Sequence, residues 1–297
     1  MAKLFRVAQL SDTHFLEPGA EPEGGHGYDI SAAFDAVLAD LADQELDMVV
    51  VTGDIADHGV PGEYEIASAA FARLPCPVFV CPGNHDMDQP YRSAFTHSGI
   101  HTARQTQHGP WSFVYVDSNA GGMNADESGR LHDPPGDERL HGNGSLCRAE
   151  SDWLRTVTAG HDADHVFVWV HHPPGTQVAL TDSATYTAQW QAVVAERPKV
   201  RGFGAGHTHV PASYQFMGRP VFVAPSLKNN FDIEAGTWLP PGYRTYEFGS
   251  DGQVVSRVNL VDDDRWPRRP LGRAIRSLLA GELTHEELAA IIARRAT

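Results

Sequence analysis

The chain has 297 residues, a length that suits one large α/β domain or two smaller domains. Its 38 acidic and 23 basic residues give a net charge of −15, which disfavours a protein that binds nucleic-acid polymers, because such proteins carry a basic surface. An acidic enzyme can still act on a small anionic substrate if bound metal ions supply positive charge locally.

The first predicted element is a strand within the segment FRVAQLSDTHF, Phe5 to Phe15. Side chains two residues apart on a strand point the same way, so Asp12 and His14 are expected to project together from its C-terminal end. This polar end is either a local turn or part of a metal site. A long loop, Leu16 to Asp29, follows it.

Helical and apolar segments then alternate along the first half of the chain, which predicts an α/β core. Helices are expected at Ser31–Leu46, with Ser31 as N-cap, at Gly62–Leu74 and at Leu146–Val157. The strands from Pro220 to Val261 leave no room for helices and are expected to pair antiparallel. The result is a mixed sheet, or two sheets packed together. Buried strands are predicted at LFRVAQL, LDMVVVTG, CPVFVCPG, WSFVYVDS, HVFVWVHH, VRGFGAGH, RPVFVAPS, GYRTYEFG and VVSRVNLV.

Two further segments stand apart from this pattern. The loop from Asn119 to Gly144 is compatible both with a flexible insertion and with a functional loop. From Trp266 the chain turns basic, so we divide it into a domain of residues 1–265 and a helical tail of residues 266–297. Thr284 and Glu287 form a predicted capping box in this tail. Its apolar stripe of Leu288, Ile291 and Ile292 is expected to dock on the same domain, with a homodimer contact as the alternative.

Five strand ends carry Asp, His or Asn, most of them with a neighbouring glycine. Each cluster alone has an ordinary explanation as a turn or a half-buried strand end. Together they indicate one site, since ligands of open α/β sheets bind beyond the carboxyl ends of the strands. The five clusters are SDTH, GDIAD, GNHD, HHPP and GHTH.

These motifs, in this order, resemble the signature of the calcineurin-like metallophosphoesterases, and they span Asp12 to His209. Within that family the chain looks most similar to the branch of cyclic-nucleotide phosphodiesterases and glycerophosphodiesterases. The resemblance implies a four-layer α/β/β/α fold, in which two mixed sheets pack as a sandwich flanked by helices. The loop from Asn119 to Gly144 and the tail match none of the family's motifs.

The resemblance also implies a binuclear metal centre with carboxylate, amide and imidazole ligands. Such donors suit two divalent ions of Mn, Fe, Zn or Co, and the absence of thiolate argues against a structural zinc site. The histidine of HHPP that stands two residues before the proline is the implied ligand. The first ion is assigned to Asp12, His14, Asp54 and His209, and the second to Asp54, Asn84, His171 and His207.

Other motif residues receive different roles. His85 is expected beside the reacting phosphate, where it stabilises charge or protonates the leaving alkoxide. Asp57 and Asp86 are candidates for orienting histidines, although Asp57 could equally be a turn or capping carboxylate. His172 either supports a ligand or, as we favour, only packs. His26, in the first long loop, is a candidate for substrate contact, whereas most other histidines are expected to be solvated.

The implied reaction is hydrolysis of a small phosphodiester by attack of a metal-activated hydroxide on phosphorus. A 3′,5′-cyclic nucleotide is the leading substrate, followed by glycerophosphodiesters, other small diesters and phosphomonoesters. A non-catalytic scaffold of the same fold is the alternative of a different class. Complete ligand positions argue against it.

Composition also predicts where the protein works. Cys76, Cys81 and Cys147 show no paired spacing, as expected of reduced thiols in the cytoplasm. Neither a signal peptide nor a membrane span is apparent. We therefore expect a cytoplasmic enzyme that binds neither membranes nor nucleic-acid polymers.

Overall fold

The computed structural model describes residues 4–22, 27–96, 98–119, 144–159, 163–175, 184–266, 268–273, 276–277 and 282–283. The helices of these ranges are α1 (Ile30–Leu41), α2 (Pro61–Phe71), α3 (Asp88–Phe95), α4 (Arg148–Ala159) and α5 (Ala184–Val194). The strands are β1 (Phe5–Leu10), β2 (Met48–Thr52), β3 (Val78–Cys81), β4 (Gln105–His108), β5 (Trp111–Val116), β6 (His165–Val170), β7 (Val200–Ala205), β8 (Ala212–Phe216), β9 (Arg219–Val223), β10 (Asn230–Asp232), β11 (Thr237–Leu239), β12 (Gly242–Phe248) and β13 (Val254–Leu260). No helix in this described part combines the length and apolarity needed to cross a membrane.

Two mixed sheets form the centre of the molecule. The first has the strand order β13-β12-β1-β2-β3, and the second has the order β4-β5-β6-β7-β9-β8. Strands β1, β2 and β3 are parallel, as are β5, β6, β7 and β9. The remaining neighbours pair antiparallel: β13 with β12, β12 with β1, β4 with β5, and β8 with β9. Strands β10 and β11 form a separate antiparallel pair.

The sheets pack against each other and are covered by helices on their outer faces. On β2, Met48 and Val50 point into an aromatic-rich layer between the sheets, whereas Val49 and Val51 pack against α1, α2 and α3. Trp190 of α5 packs on the outer face of the second sheet. Strands that are buried on both faces have continuous apolar sequences, because neither face contacts water. The predicted two-sheet sandwich flanked by helices is confirmed.

Several local predictions need correction. Helix α1 begins at Ile30 with Asp29 as its N-cap, because the Asp29 carboxylate accepts a hydrogen bond from the Ala32 amide at 2.9 Å; the predicted Ser31 cap was wrong. The later strands do not all pair antiparallel, since β9 runs parallel to β7. After β9 the chain leaves the second sheet and crosses to the first. Helices α3 and α5 and strands β4, β8, β10 and β11 were not predicted.

The start of the predicted tail contacts the rest of the domain. Trp266 is buried with the α1 core, and Leu271 packs with Phe231. The amide of Trp238 donates to the Arg269 carbonyl at 2.8 Å, which pairs this segment with β11. The predicted helix with its capping box, residues 120–143 of the long loop and His26 all lie outside the described residues.

Candidate metal centre

The strand ends of both sheets meet at one edge, as predicted from the motifs. The loops after β1 and β2 run side by side, with the His14 amide donating to the Asp54 carbonyl at 2.8 Å. The loop after β7 joins them because the His207 amide donates to both carboxylate oxygens of Asp12 at 3.1 Å. The Gly206 amide donates to the His171 carbonyl at 2.9 Å. Backbone hydrogen bonds thus join the loops within each sheet, and the His207 amide joins the two sheets through the Asp12 carboxylate.

The backbone of this site is strained. Outside glycine, six described residues have a left-handed φ, and only Met217 among them is not a predicted ligand. Such conformations cost free energy for residues with a Cβ atom, and they persist where the surrounding structure requires them. Here they aim side chains from tight loops toward a common centre. The five strained candidates are Asp12, His14, Asp54, His207 and His209.

Two glycines beside the ligand candidates are required by close packing. A Cβ atom on Gly206 would lie 1.8 Å from Ser11 Oγ and 2.7 Å from Asp12 Oδ2. Gly53 has a φ of +81°, and a Cβ atom there would lie 2.6 Å from His171 Nδ1. A larger residue at either position would displace a ligand candidate, which explains the glycine in the GD and GHTH motifs.

One carboxylate oxygen lies between two groups of donors. Asp54 Oδ2 is 3.6 Å from His14 Nε2 and 3.3 Å from His171 Nε2. His171 Nε2 is in turn 3.1 Å from Asn84 Oδ1 and 3.1 Å from His207 Nδ1. Asp54 is thus placed to share its carboxylate between two cations.

The other group contains Asp12, His14 and His209, whose ligand atoms all lie within 4.8 Å of one another. His209 Nε2 is 3.2 Å from Asp12 Oδ1. Both the Asp12 and the His14 side chains are at least 98 % buried, since their exposures are 0 % and 2 %. Asp12, Asp54 and His171 form another such group of ligand atoms.

The tautomers of three histidines favour a cation at this centre. His14 Nδ1 donates to Asp57 Oδ1 at 2.8 Å, His171 Nδ1 donates to the Thr52 carbonyl at 2.8 Å, and His209 Nδ1 donates to Asn229 Oδ1. In each neutral ring the Nε2 lone pair is then directed toward carboxylate oxygens. His14 Nε2 is buried without a hydrogen-bond partner among the described residues.

Lone pairs that face carboxylate oxygens repel unless positive charge lies between them. A single proton on His171 Nε2 can satisfy only one of its three neighbouring acceptors, whereas a metal ion can accept a lone pair from several of them. The donor set therefore fits divalent metal ions with mixed nitrogen and oxygen ligands.

The pKa values reflect the same need for positive charge. Burial alone would raise the pKa of Asp12, but His209 and His171 outweigh it and lower that pKa to about 2. Burial lowers the pKa of His14 to about 3, with help from Lys228, and burial also lowers that of His207 to about 3. These histidines are neutral near pH 7, as metal ligation requires. The pKa of His171 is raised to about 9 because Asp54 outweighs the effect of burial.

Asp57 supports His14 from behind. The Asp57 carboxylate is fully buried and accepts from His14 Nδ1 at 2.8 Å and from Lys228 Nζ at 2.5 Å, both through Oδ1. Burial would raise the pKa of Asp57, but His14 and Lys228 hold it well below its usual range. A carboxylate hydrogen-bonded to a ligating histidine fixes the ring orientation and increases its basicity.

Asp86 does not orient a histidine as expected, and it holds the loops together instead. Its carboxylate accepts from the backbone amides of Ile55, Ala56 and Gly83 at 2.8–3.2 Å and from the Tyr64 hydroxyl at 3.1 Å. The loop after β2 is thereby tied to the loop after β3.

His85 and His172 also belong to groups of possible ligand atoms, His85 with His14 and Asp57, and His172 with His171 and His207. His85 Nδ1 lies 2.6 Å from the Asp57 carbonyl oxygen, and the His85 amide donates to Asp54 Oδ1 at 2.9 Å. His172 Nδ1 lies 2.7 Å from Ser118 Oγ, and its ring packs 4.4 Å from the His207 ring between centroids. These contacts agree with a packing role for His172.

A cleft of about 410 Å³ opens beside His14 and Lys228. Phe15, Leu16 and Ile66 supply an apolar part of its wall. This volume lies within the range of small-molecule sites in proteins.

Sequence inspection missed Lys228, Asn229 and Asn119. The first two follow β9, which ends at the same sheet edge as β7, so the strand-end rule applied to β9 would have found them. Asn119 Nδ2 donates to the Gly83 carbonyl at 2.6 Å, and no signal in the sequence distinguishes it from an ordinary turn asparagine.

A comparison with family models finds that residues 5–211 match the model of the calcineurin-like phosphoesterases. The matched region contains every predicted metal ligand, from Asp12 to His209.

Whole-chain comparisons point the same way. The chain is 25% identical over 271 residues to the 3′,5′-cyclic adenosine monophosphate phosphodiesterase CpdA of Escherichia coli, covering 88% of this chain and 91% of that protein. It is 26% identical to a probable cyclic nucleotide phosphodiesterase of a Synechococcus species, covering 89% and 95% respectively. The fold is also that of a dimetal phosphatase from Danio rerio, with a TM-score of 0.60 at 16% identity, covering 87% of this chain and 99% of that chain.

Proposed function

Because this chain belongs to the calcineurin-like phosphoesterase family and is a metal-dependent phosphoester hydrolase, we propose that it hydrolyses a small phosphodiester, namely a 3′,5′-cyclic nucleotide. The proposed centre holds two divalent ions. Asp12, His14, Asp54 and His209 bind the first ion, and Asp54, Asn84, His171 and His207 bind the second.

The observation that carries this proposal is the direction of the histidine lone pairs. His14, His171 and His209 each use Nδ1 to donate to a fixed oxygen, which leaves Nε2 directed toward Asp54 or Asp12. Without a cation, each of these Nε2 atoms needs a proton to face a carboxylate oxygen favourably, whereas bound metal ions accept the lone pairs of the imidazoles and of the carboxylates together.

When bound, the two ions would lower the pKa of a water molecule to supply a nucleophile and would neutralise charge on the phosphoryl oxygens. The Asp54 carboxylate would be a ligand of both ions, since its Oδ2 lies between the two donor groups. Asp57 keeps the His14 ring in its ligating tautomer. These residues orient the reacting groups before the reaction begins, which is the main contribution of a protein to phosphoryl transfer.

His85 is assigned to the leaving group. Its Nδ1 donates to the Asp57 carbonyl, so a proton carried on Nε2 is the one available to the departing alkoxide. The proposed roles of the remaining predicted residues are indirect: Asp86 holds the loops, and His172 packs on His207. Substrate contact by His26 stays a prediction, because His26 lies outside the described residues.

The choice of substrate is supported by two observations of different kind. Relatives covering most of this chain are named as cyclic nucleotide phosphodiesterases. The cleft beside His14 also has a volume suited to a small molecule and an apolar wall against which a base can pack. Glycerophosphodiesters, other small diesters and phosphomonoesters are the competing substrates.

The experiment combines metal analysis with a substrate panel. Purified protein is dialysed against Mn²⁺, its metal content is measured, and its kcat/KM is determined for 3′,5′-cyclic AMP, 3′,5′-cyclic GMP, glycerophosphocholine and p-nitrophenyl phosphate. We expect about two Mn²⁺ per chain, as a two-metal clamp requires. We also expect the highest kcat/KM for a cyclic nucleotide.

Two variants separate the proposed centre from general charge effects. Asp54→Asn should lower kcat/KM by more than the ~100-fold that follows loss of a residue behind a ligand. Asp152→Asn on the exposed face of α4 should leave activity and metal content unchanged. A preference for glycerophosphocholine would replace the cyclic nucleotide as substrate. Wild-type protein that neither binds Mn²⁺ nor hydrolyses any of the four compounds would overturn the proposed centre.

A further inference from the structure

A glutamine lies between the two sheets, beneath the proposed metal centre. Gln9 on β1 is 0 % exposed and is surrounded by a largely apolar and aromatic layer. Its Nε2 donates to Thr52 Oγ1 at 2.7 Å and to the Ala205 carbonyl at 2.9 Å. Its Oε1 accepts from the Tyr246 hydroxyl at 2.5 Å. The amide therefore uses both of its hydrogens and its oxygen.

The contacts of Gln9 continue to a proposed metal ligand. Thr52 Oγ1 donates to Ser11 Oγ at 2.9 Å, and Ser11 Oγ donates to the Thr52 carbonyl at 3.0 Å. The same Thr52 carbonyl accepts from His171 Nδ1 at 2.8 Å. The position of this carbonyl decides which His171 nitrogen carries the hydrogen, and thus where its Nε2 lone pair points.

The partners of Gln9 also stand directly before ligand-bearing loops. Thr52 precedes Gly53 and Asp54 on the first sheet, and Ala205 precedes Gly206 and His207 on the second. One side chain thus fixes the end of β2 relative to the end of β7. Apolar packing between the sheets is not directional, whereas a hydrogen bond weakens steeply with distance and angle.

The ligand distances around the proposed second ion depend on the relative placement of the two sheets more than those around the first ion. Two of its ligands, His171 and His207, come from the second sheet, while Asp54 and Asn84 come from the first. The first ion takes only His209 from the second sheet. An error in the relative placement of the sheets would therefore change more of the distances around the second ion.

We infer that Gln9 is a positioning residue for the metal centre, which sets the relative placement of the two sheets at their carboxyl ends and holds the Thr52 carbonyl against His171. This inference rests on the proposed function, since it presupposes the two metal ions. Gln9 touches neither ion nor substrate, and its effect is on the affinity for the second ion.

The test uses a double variant and a matched control. Gln9→Met combined with Tyr246→Phe removes the amide together with the hydroxyl that would otherwise be left unpaired. Tyr115→Phe is the control, because Tyr115 is buried in the same layer but its hydroxyl contacts Thr106 and Met48, away from the ligand-bearing loops. Tyr246→Phe alone provides a milder variant that keeps the glutamine.

The measurements are Mn²⁺ dissociation constants by calorimetry on chelator-treated protein, and urea unfolding of the same samples. We expect the double variant to bind one of the two Mn²⁺ ions, assigned to the proposed second position, about 10- to 100-fold less tightly, the range for residues behind metal ligands. Activity should return at high Mn²⁺ concentration. Tyr246→Phe should weaken the same ion by about threefold, as loss of one hydrogen bond implies. Tyr115→Phe should bind both ions like the wild type.

Two outcomes would overturn the inference. The first is wild-type affinity for both ions in Tyr246→Phe and in the double variant. The second is an equal loss of affinity in Tyr115→Phe, which would assign the effect to general packing of the layer. Wild-type protein without Mn²⁺ binding is a separate result, because it would remove the proposed metal centre itself and the positioning role with it.

Discussion

Replacing Asp57 by asparagine should affect stability and metal binding through two separable mechanisms. The Asp57 carboxylate is fully buried and contacts both His14 Nδ1 and Lys228 Nζ through one oxygen. The Lys228 side chain is itself only 6% exposed. Asparagine keeps the shape of the side chain but removes the negative charge that balances this ammonium group.

The two contacts predict two magnitudes. Leaving a buried ammonium without its carboxylate typically destabilises a protein by about 3–5 kcal/mol, so we expect Asp57→Asn to lose that much unfolding free energy without metal. Loss of the acceptor behind His14 should weaken binding of the first ion by about 10- to 100-fold. That loss corresponds to about 1.4–2.7 kcal/mol of binding free energy.

A second substitution separates the two effects. In Asp57→Asn with Lys228→Met no buried charge is left unpaired, so unfolding free energy should return to within about 1 kcal/mol of the wild type. Metal affinity should stay low, because the His14 ring still lacks its carboxylate. Urea unfolding of chelator-treated protein and Mn²⁺ competition with a fluorescent chelator measure the two quantities. Asp152→Asn, which breaks an exposed ion pair, is the control.

The reasoning would be refuted in either of two ways. If the double variant is as unstable as Asp57→Asn, the unpaired ammonium of Lys228 is not the cause of the instability. If the double variant regains metal affinity along with stability, Asp57 does not orient His14 for ligation, and its effect on the metal is only a consequence of folding.

Three further predictions concern the loops, the proposed acid and the buried carboxylate of Glu150 on α4. Gly206→Ala should destabilise the protein by about 1–3 kcal/mol and lower its Mn²⁺ content, because the added methyl overlaps Ser11 Oγ; Gly272→Ala, which meets no atom within 4 Å, should leave both the melting temperature and the metal content unchanged. His85→Ala should lower kcat while metal content, measured by elemental analysis, stays at the wild-type value; unchanged kcat would refute the assigned role. Burial raises the pKa of Glu150 to about 7 against the opposing effect of Arg104, so the folded state binds more protons than the unfolded state between pH 4.5 and about 7. The unfolding free energy should therefore fall through this interval by up to ~3 kcal/mol relative to Glu150→Gln, as followed by urea unfolding at several pH values, and parallel curves for the two proteins would contradict the raised pKa.

Much of the fold was predictable because burial leaves a direct trace in the sequence. Strand β6 reads HVFVWV, and all six of its residues are buried, with alternate side chains reaching the intersheet layer and the helices. Strands β4 and β8 lie at the ends of the second sheet and have partly exposed, polar faces. They therefore resemble ordinary loops in composition, and sequence inspection passed over them.

The candidate site was predictable where its residues follow strands directly. Asp12, Asp54 and His171 each stand within two residues of a strand end, and Gly53 beside Asp54 marks close packing. Lys228 and Gln9 lack such signals. A lysine after a strand reads as a solvated residue, and a glutamine within an apolar strand reads as an exception to the pattern.

The sequence alone determined the buried strands, the order of the motifs and the residue types of a metal centre, because each depends on local pattern and chemistry. Only the tertiary structure decided that Lys228 balances Asp57 and that Gln9 joins β2 to β7 across the sheets. Those contacts connect residues 171 and 196 positions apart in the chain. No local pattern records such pairs, since a buried polar side chain is stabilised by whichever partner the fold brings within hydrogen-bonding distance.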